Sequence, residues 1–206
     1  MNAIADLVSP SKAYVPLRLA GRPLALKAAV LVLGIAFLTA SSYVQVPMLP
    51  VPMTMQTFAV LAVGAFCGWR LGLATIVAWL ALAAVGIPVL SEGKAGLAVF
   101  HGTTGGYMAA IPLMAIFIGW MAERGWTSRT IPAFLTLLVA EVICFTMGVG
   151  WLSMLPDPTD ATHTHLIGLS KAIAWGLVPF ALGDLVKTVL ATAILTGTRR
   201  MVRSDR

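Results

Sequence analysis

Two charged residues inside an apolar run are the sharpest chemical feature of this sequence. Asp184 and Lys187 stand three apart within residues 172–198, which hold no other charge. On a helix that spacing puts both side chains on one face. An ionised Asp offers acceptors alone, and Lys offers donors alone. Together they suit a ligand that carries both N–H groups and a carbonyl or carboxylate. The bland alternative is an internal ion pair that ties helices together.

Glu141 is a second acid in an apolar run. It could contact a ligand, sit as a neutral carboxyl with a hydrogen-bond partner, or act as a coupling site. Burial disfavours the charged form of a carboxyl, so a structural role as the neutral acid is favoured. Ala25, Ala29, Ala36 and Ala40 form a third pattern. At about 100° per residue they fall within a stripe of roughly 60° on one helix. Small residues in a stripe let another helix approach closely, so this is a candidate docking surface.

Several chemistries are missing. The sequence has no Gly-x-x-x-x-Gly-Lys-Ser/Thr phosphate loop and no His-Glu-x-x-His zinc motif. It has no Gly-x-Ser-x-Gly elbow. His163 and His165 flank Thr164 without further ligands nearby, so no metal site is expected. Cys67 and Cys144 both lie in apolar stretches and read as small core residues rather than a disulfide. The run Gly102-Thr103-Thr104-Gly105-Gly106 is explained by the start of a helix. No catalytic residue, metal or cofactor is expected, and the chain is not read as an enzyme.

The elements that must position these residues are membrane helices. Of the 206 residues 59% are hydrophobic and only 11% are charged, where a soluble domain carries about 25% charged residues. Apolar stretches of 18 or more residues recur, each long enough to cross about 30 Å of hydrocarbon. Six spans are expected, at about 28–46, 53–69, 71–90, 105–122, 131–155 and 172–198. A proline-rich loop covers 47–52, and a glycine-rich segment lies between the third and fourth spans. The segment 1–27 has no apolar core with a small-residue cleavage site and reads as a cytosolic tail rather than a signal peptide.

Charge sets the orientation. Lys12, Arg18, Arg22, Lys27, Arg70, Arg124, Arg129, Arg199, Arg200, Arg203 and Arg206 fall on one side of this topology. Lys94 and Lys171 fall on the other, and Lys187 lies within a span. The positive-inside rule then places both termini in the cytoplasm. The net charge of +6 reflects this orientation rather than nucleic-acid binding. The expected fold is all-α and polytopic: a cytosolic tail at 1–27, a six-helix transmembrane domain at 28–198 and a basic cytosolic tail at 199–206.

Five segments carry a family resemblance. They are Val51-Pro52-Met53-Thr54-Met55-Gln56-Thr57, Gly86-Ile87-Pro88-Val89, Gly102 to Tyr107, Gly148-Val149-Gly150-Trp151-Leu152, and Pro179-Phe180 with Gly183-Asp184 and Lys187. In this order they resemble the BioY family, the biotin-specific substrate-binding (S) components of energy-coupling factor (ECF) transporters. The resemblance covers about residues 25–198. One departure is Ser91-Glu92-Gly93-Lys94, where the family more often has small residues and sometimes Asn.

The resemblance implies capture of biotin from the outer side of a bacterial plasma (inner) membrane by a multi-pass protein. It implies substrate contacts at Asp184, Lys187, Gln56, Thr54, Tyr107 and Phe180. Asp184 can accept from the ureido N–H groups, and Lys187 can serve the ureido oxygen or the carboxylate. Its partners would be an ECF transmembrane coupling protein and two cytosolic ATPases. Docking would use an alanine pair, either Ala25 with Ala29 or Ala36 with Ala40. The alternative is a self-sufficient proton-coupled secondary transporter of a small carboxylate or vitamin, with Asp184, Lys187 and Glu141 as a proton relay.

Overall fold

The computed structural model describes residue 17 and residues 21–49, 51–159 and 165–204. Lys12, Arg18, Asp160, His163 and Arg206 lie outside the described residues, as do the side chains of Arg199, Arg200 and Arg203. Helix α1, Leu24–Tyr43, follows Pro23, whose carbonyl accepts from the amides of Leu26 and Lys27. Its 20 residues span about 30 Å, the thickness of the hydrocarbon core. Two short strands come next: β1, Gln45–Val46, pairs antiparallel with β2, Met53–Thr54. The prolines between them keep this ribbon from continuing as a helix. The Met55 amide donates to the Val44 carbonyl at 2.9 Å and closes the ribbon's base.

Helix α2, Gln56–Ala84, is a 29-residue run broken at Gly68, whose φ of 77° and ψ of 175° leave the helical region. A left-handed φ of this kind strains any residue with a Cβ. The chain doubles back there. A Cβ on Gly72 would lie 3.3 Å from the Gly64 Cα, whereas eight residues along a straight helix span about 12 Å. The halves, α2a (56–67) and α2b (69–84), therefore run antiparallel. The Glu123 carboxylate accepts from the Trp69 amide at 3.3 Å and caps the second half.

Residues 85–97 form a loop with a 3₁₀ turn at Ser91–Gly93, and a short helix α3 covers Ala98–His101. Helix α4 covers Gly105–Glu123, and α5 covers Thr130–Ser153. Helix α6, Gly168–Gly176, and α7, Val178–Ser204, complete the chain. Among the described residues five helices are long and apolar enough to cross a membrane, against six expected spans. The difference arises at Gly68, because the expected second and third spans form one continuous helical run with a single-residue turn.

A second difference concerns the last span, expected as a single helix over 172–198. It is divided between Gly176 and Val178, and Pro179 stands in the first turn of α7, where its missing N–H costs nothing. Asp184 therefore sits in the second turn of α7, near one end of the bundle, rather than deep in a long helix.

Of these spans α4 is the most enclosed and α1 the most peripheral. The main core gathers Leu38, Trp79, Leu90, Met114, Ile118 and Leu137. A smaller cluster, with Val51, Leu152, Ile167 and Phe180, sits beside the ribbon, and Tyr107 packs against both.

Candidate functional site

The ribbon and the start of α2 meet α7 at the Asp184–Lys187 pair. Both residues are buried, at 5% and 6% exposure. Lys187 Nζ donates to Asp184 Oδ1 at 2.6 Å, to the Thr54 carbonyl at 2.5 Å and to Thr57 Oγ1 at 3.3 Å. These three partners use all three ammonium protons. Thr57 in turn donates to Asp184 Oδ1 at 3.2 Å. A buried ion survives only with such partners. Lys187 thus does more than neutralise Asp184: it ties α7 to β2. A ligand could engage it only by displacing one of these groups. Among the described residues no hydrogen bond goes to Asp184 Oδ2, which leaves that oxygen as the pair's open acceptor.

A cavity with both polar and apolar lining opens beside the pair. All six expected substrate contacts, Thr54, Gln56, Tyr107, Phe180, Asp184 and Lys187, line it. Their polar groups are held in distinct ways. Gln56 Nε2 donates to Ser42 Oγ at 2.9 Å, which orients the amide from α1. Tyr107 donates its hydroxyl to the Gly176 carbonyl at 2.8 Å. That leaves the phenol ring, rather than a free hydroxyl donor, as its contribution to the wall. The ring passes close over α5: a Cβ on Gly148 would lie 2.2 Å from Tyr107 Cε1. Phe145, Phe180, Met108 and Ile111 add apolar wall.

The lining residues that sequence reasoning missed include Thr57, Ser91, Thr104, Cys144 and Phe145, beside the apolar Val51, Pro52, Met108 and Ile111. Thr57 and Thr104 lie inside segments that carried the resemblance, so their positions were marked but their roles were not. Ser91 belongs to the loop that departs from the family pattern, yet it is buried and faces the cavity. Cys144, expected as a core residue, also forms part of the cavity wall. No sequence signal singled out Phe145 among the apolar residues of α5.

The connection from α5 to α6 is stapled beside the site. The Asp157 carboxylate accepts from the Thr159 amide at 2.9 Å, from the Thr159 hydroxyl at 2.7 Å and from Lys171. The Lys171 hydrogen bond first, then those from Thr159, hold the Asp157 carboxyl low, at about 2. The Asp157 amide donates to the His165 carbonyl, and the Ile167 amide to that of Leu155, both at 2.9 Å. Among the described residues no group of three His, Cys, Asp or Glu is placed to hold a metal ion.

Glu141 is buried on α5 and does not line the cavity. Ala25, Ala29, Ala36 and Ala40 are all exposed along α1. The structure therefore separates three features: a cavity at the Asp184–Lys187 pair, a buried acid outside its lining and an exposed small-residue face on α1.

A multi-pass helical membrane protein with a partly polar cavity near one end of its bundle is built to hold a small ligand. The chain belongs to the BioY family, which it matches over residues 13–204. It is 31% identical over 160 residues to the biotin transporter BioY2 of Lactococcus lactis, covering 78% of this chain and 82% of that protein. It is 30% identical over 167 residues to a probable biotin transporter BioY of Pyrococcus horikoshii, covering 81% and 91%. The fold is similar to the crystal structure of an S-component for biotin from an ECF-type ABC transporter. The TM-score there is 0.68, with 26% identity over 87% of this chain and 95% of the other.

Proposed function

We propose that this chain is the biotin-binding S component of an ECF-type vitamin uptake transporter, a transport subunit rather than an enzyme. One observation carries the reading: the six residues expected to contact biotin converge on one cavity. Biotin offers two ureido N–H donors, a ureido carbonyl and a carboxylate. Asp184 Oδ2 is an open acceptor for an N–H. The hydroxyls of Ser91 and Thr104 line the same cavity and supply donors for an oxygen. The aromatic and aliphatic wall suits the bicyclic ring and tail.

With the turn at Gly68 counted, α1, α2a, α2b, α4, α5 and α7 make six crossings, and both termini share a side. Arg70 stacks on Trp69 at 5.1 Å and Arg124 on Trp120 at 3.3 Å. Such aromatic–cationic pairs suit a cytoplasmic interface. The cavity then opens toward the outside of a bacterial plasma membrane. The exposed alanine stripe of α1 would dock an ECF transmembrane coupling protein, which itself carries two cytosolic ATPases. The second reading, a self-sufficient proton-coupled transporter, is favoured only by Glu141, a buried acid without a hydrogen-bond partner among the described residues.

Calorimetric titration of the detergent-purified chain tests the main reading. Biotin is expected to bind one to one, and thiamine and riboflavin are not. Equal binding of an unrelated vitamin would defeat it. Uptake by the chain alone in vesicles, present only with a proton gradient, would favour the second reading.

A further inference from the structure

Ser42 is fully buried near the end of α1 and bonds in two directions. Its hydroxyl donates to the Leu38 carbonyl one turn back at 2.8 Å, and its Oγ accepts from Gln56 Nε2 at 2.9 Å. Gln56 is buried as well, begins α2 and lines the cavity, whereas Ser42 stands outside the lining. The Gln56 backbone amide donates to Thr54 Oγ1 at 3.2 Å, which anchors the residue at the base of the ribbon. A side-chain amide has one end that only accepts and one that only donates. The end that meets Ser42 therefore decides which end is left for a ligand.

Counting protons fixes the choice. Ser42 has a single hydroxyl proton, and the Leu38 carbonyl has none to give. With the Gln56 NH₂ toward Ser42, both contacts are hydrogen bonds. With the amide oxygen there, two acceptors would compete for one proton, and a buried contact would be lost. The NH₂ therefore faces Ser42, and Oε1 is turned away from it. Among the described residues no hydrogen bond goes to Gln56 Oε1. Nor is this atom sealed in the packing, as the unpartnered Gln45 Oε1 is. It is open to the cavity that Gln56 lines.

We propose that Ser42 is a positioning residue for ligand recognition: from α1 it holds the Gln56 amide so that Oε1 faces the cavity as an acceptor for an N–H of the ligand. This deepens the biotin reading above and rests on it. Gln56 Oε1 from α2 and Asp184 Oδ2 from α7 then give the cavity two open acceptors, which suits a ureido ring with two N–H groups. Ser42 acts only through Gln56. Without its hydroxyl the amide is free to turn, and its NH₂ would meet a ligand donor.

The test is calorimetric titration with biotin of the detergent-purified wild type, Ser42→Ala, Gln56→Ala and the double mutant. Ser42→Ala is expected to lower affinity by about three- to tenfold, the worth of one hydrogen bond. In the Gln56→Ala background the same change should have no further effect, since a double-mutant cycle isolates the coupling of the two residues. A second arm uses the two cyclic carbamate analogues of biotin, in each of which one ring N–H is replaced by oxygen. Ser42→Ala should cost nothing with the analogue that lacks the N–H facing Gln56, and as much as with biotin for the other. Ser42→Cys, whose thiol is only a weak acceptor, is read in the same way if Ser42→Ala fails to fold. Unchanged biotin affinity in the Ser42 variant would overturn the proposal. So would an equal loss in the Gln56→Ala background or an equal loss for biotin and both analogues, the result of packing alone. Failure of wild type to bind biotin at all would instead overturn the reading beneath it.

Discussion

Asp184→Asn is the most informative single change. It keeps the shape, removes the charge and turns one acceptor into a donor. Two consequences follow from the geometry. First, Lys187 stays buried at 6% exposure with its charged partner gone. Breaking a buried pair on one side costs about 3–5 kcal/mol. At roughly 2–4 °C per kcal/mol for a chain of this size, melting should fall by about 6–20 °C. Second, the amide can direct its NH₂ toward the cavity, where a ureido N–H would meet a donor. A hydrogen bond to a charged group contributes about 1.5–3 kcal/mol, and each 1.4 kcal/mol is about tenfold in affinity. Biotin affinity should therefore fall by at least about tenfold to a hundredfold. Lys187→Ala should act similarly, since it also releases the Thr54 carbonyl from its 2.5 Å contact. The double mutant Asp184→Asn/Lys187→Ala separates stability from binding. Melting should recover in part, because no unpaired charge remains, whereas affinity should not. The assay is biotin calorimetry and thermal melting of all three variants in detergent. Preserved affinity in stably folded single mutants, or full recovery of binding in the double mutant, would refute the ligand-site reasoning.

Four further outcomes are expected. Tyr107→Phe loses one hydrogen bond to Gly176, worth about 1 kcal/mol of stability, but keeps the ring, so biotin affinity should move by less than about threefold, or about 0.7 kcal/mol. Gly148→Ala drives a Cβ into that ring, pushes it toward the cavity and should cost more than about tenfold in affinity by calorimetry. Replacing Ala29 or Ala36 with Leu should abolish copurification with the coupling protein while leaving biotin binding near normal; copurification surviving both changes would remove the stripe as the interface. For Asp157, the folded carboxyl titrates at about 2, below the usual value of about 3.9. Its contribution is therefore fully present above about pH 4 and lost as pH falls through 2. Hydrogen exchange around residues 154–159 and 165–167 should be insensitive to pH-driven loosening between pH 5 and 8, and Asp157→Asn should raise it at every pH in that window.

The Asp184–Lys187 pair lines the cavity, whereas the staple lies outside its lining. Lys187 joins β2 to α7 through the Thr54 carbonyl. Lys171 joins α6 to the preceding loop, and its side chain remains half exposed. A change at the first pair therefore alters the cavity itself. A change at the second alters how firmly the neighbouring connection is held.

Hydropathy alone determined that the chain is a helical membrane protein, since an unpaired backbone in hydrocarbon leaves few other choices. The scarcity of charge also made Asp184, Lys187 and Glu141 visible, because an intramembrane ion is expensive unless something uses it. The segments around Thr54, Gln56, Tyr107 and Phe180 marked the family and, with it, the cavity wall. The tertiary structure decided what short-range pattern does not encode. The reversal at Gly68 depends on a single left-handed residue inside a continuous apolar run, and hydropathy cannot tell a bent helix from a folded one. The break between Gly176 and Val178 moved Asp184 close to the end of a helix. Ser91, Cys144 and Phe145 joined the site because α2, α4, α5 and the 3₁₀ turn converge there, across separations that no local periodicity records. Above all, the partner choices of Lys187 and the solitude of Glu141 are properties of packing. Sequence showed that these charges must be accommodated; only the assembled bundle showed that one is tied to three neighbours and the other to none among the described residues.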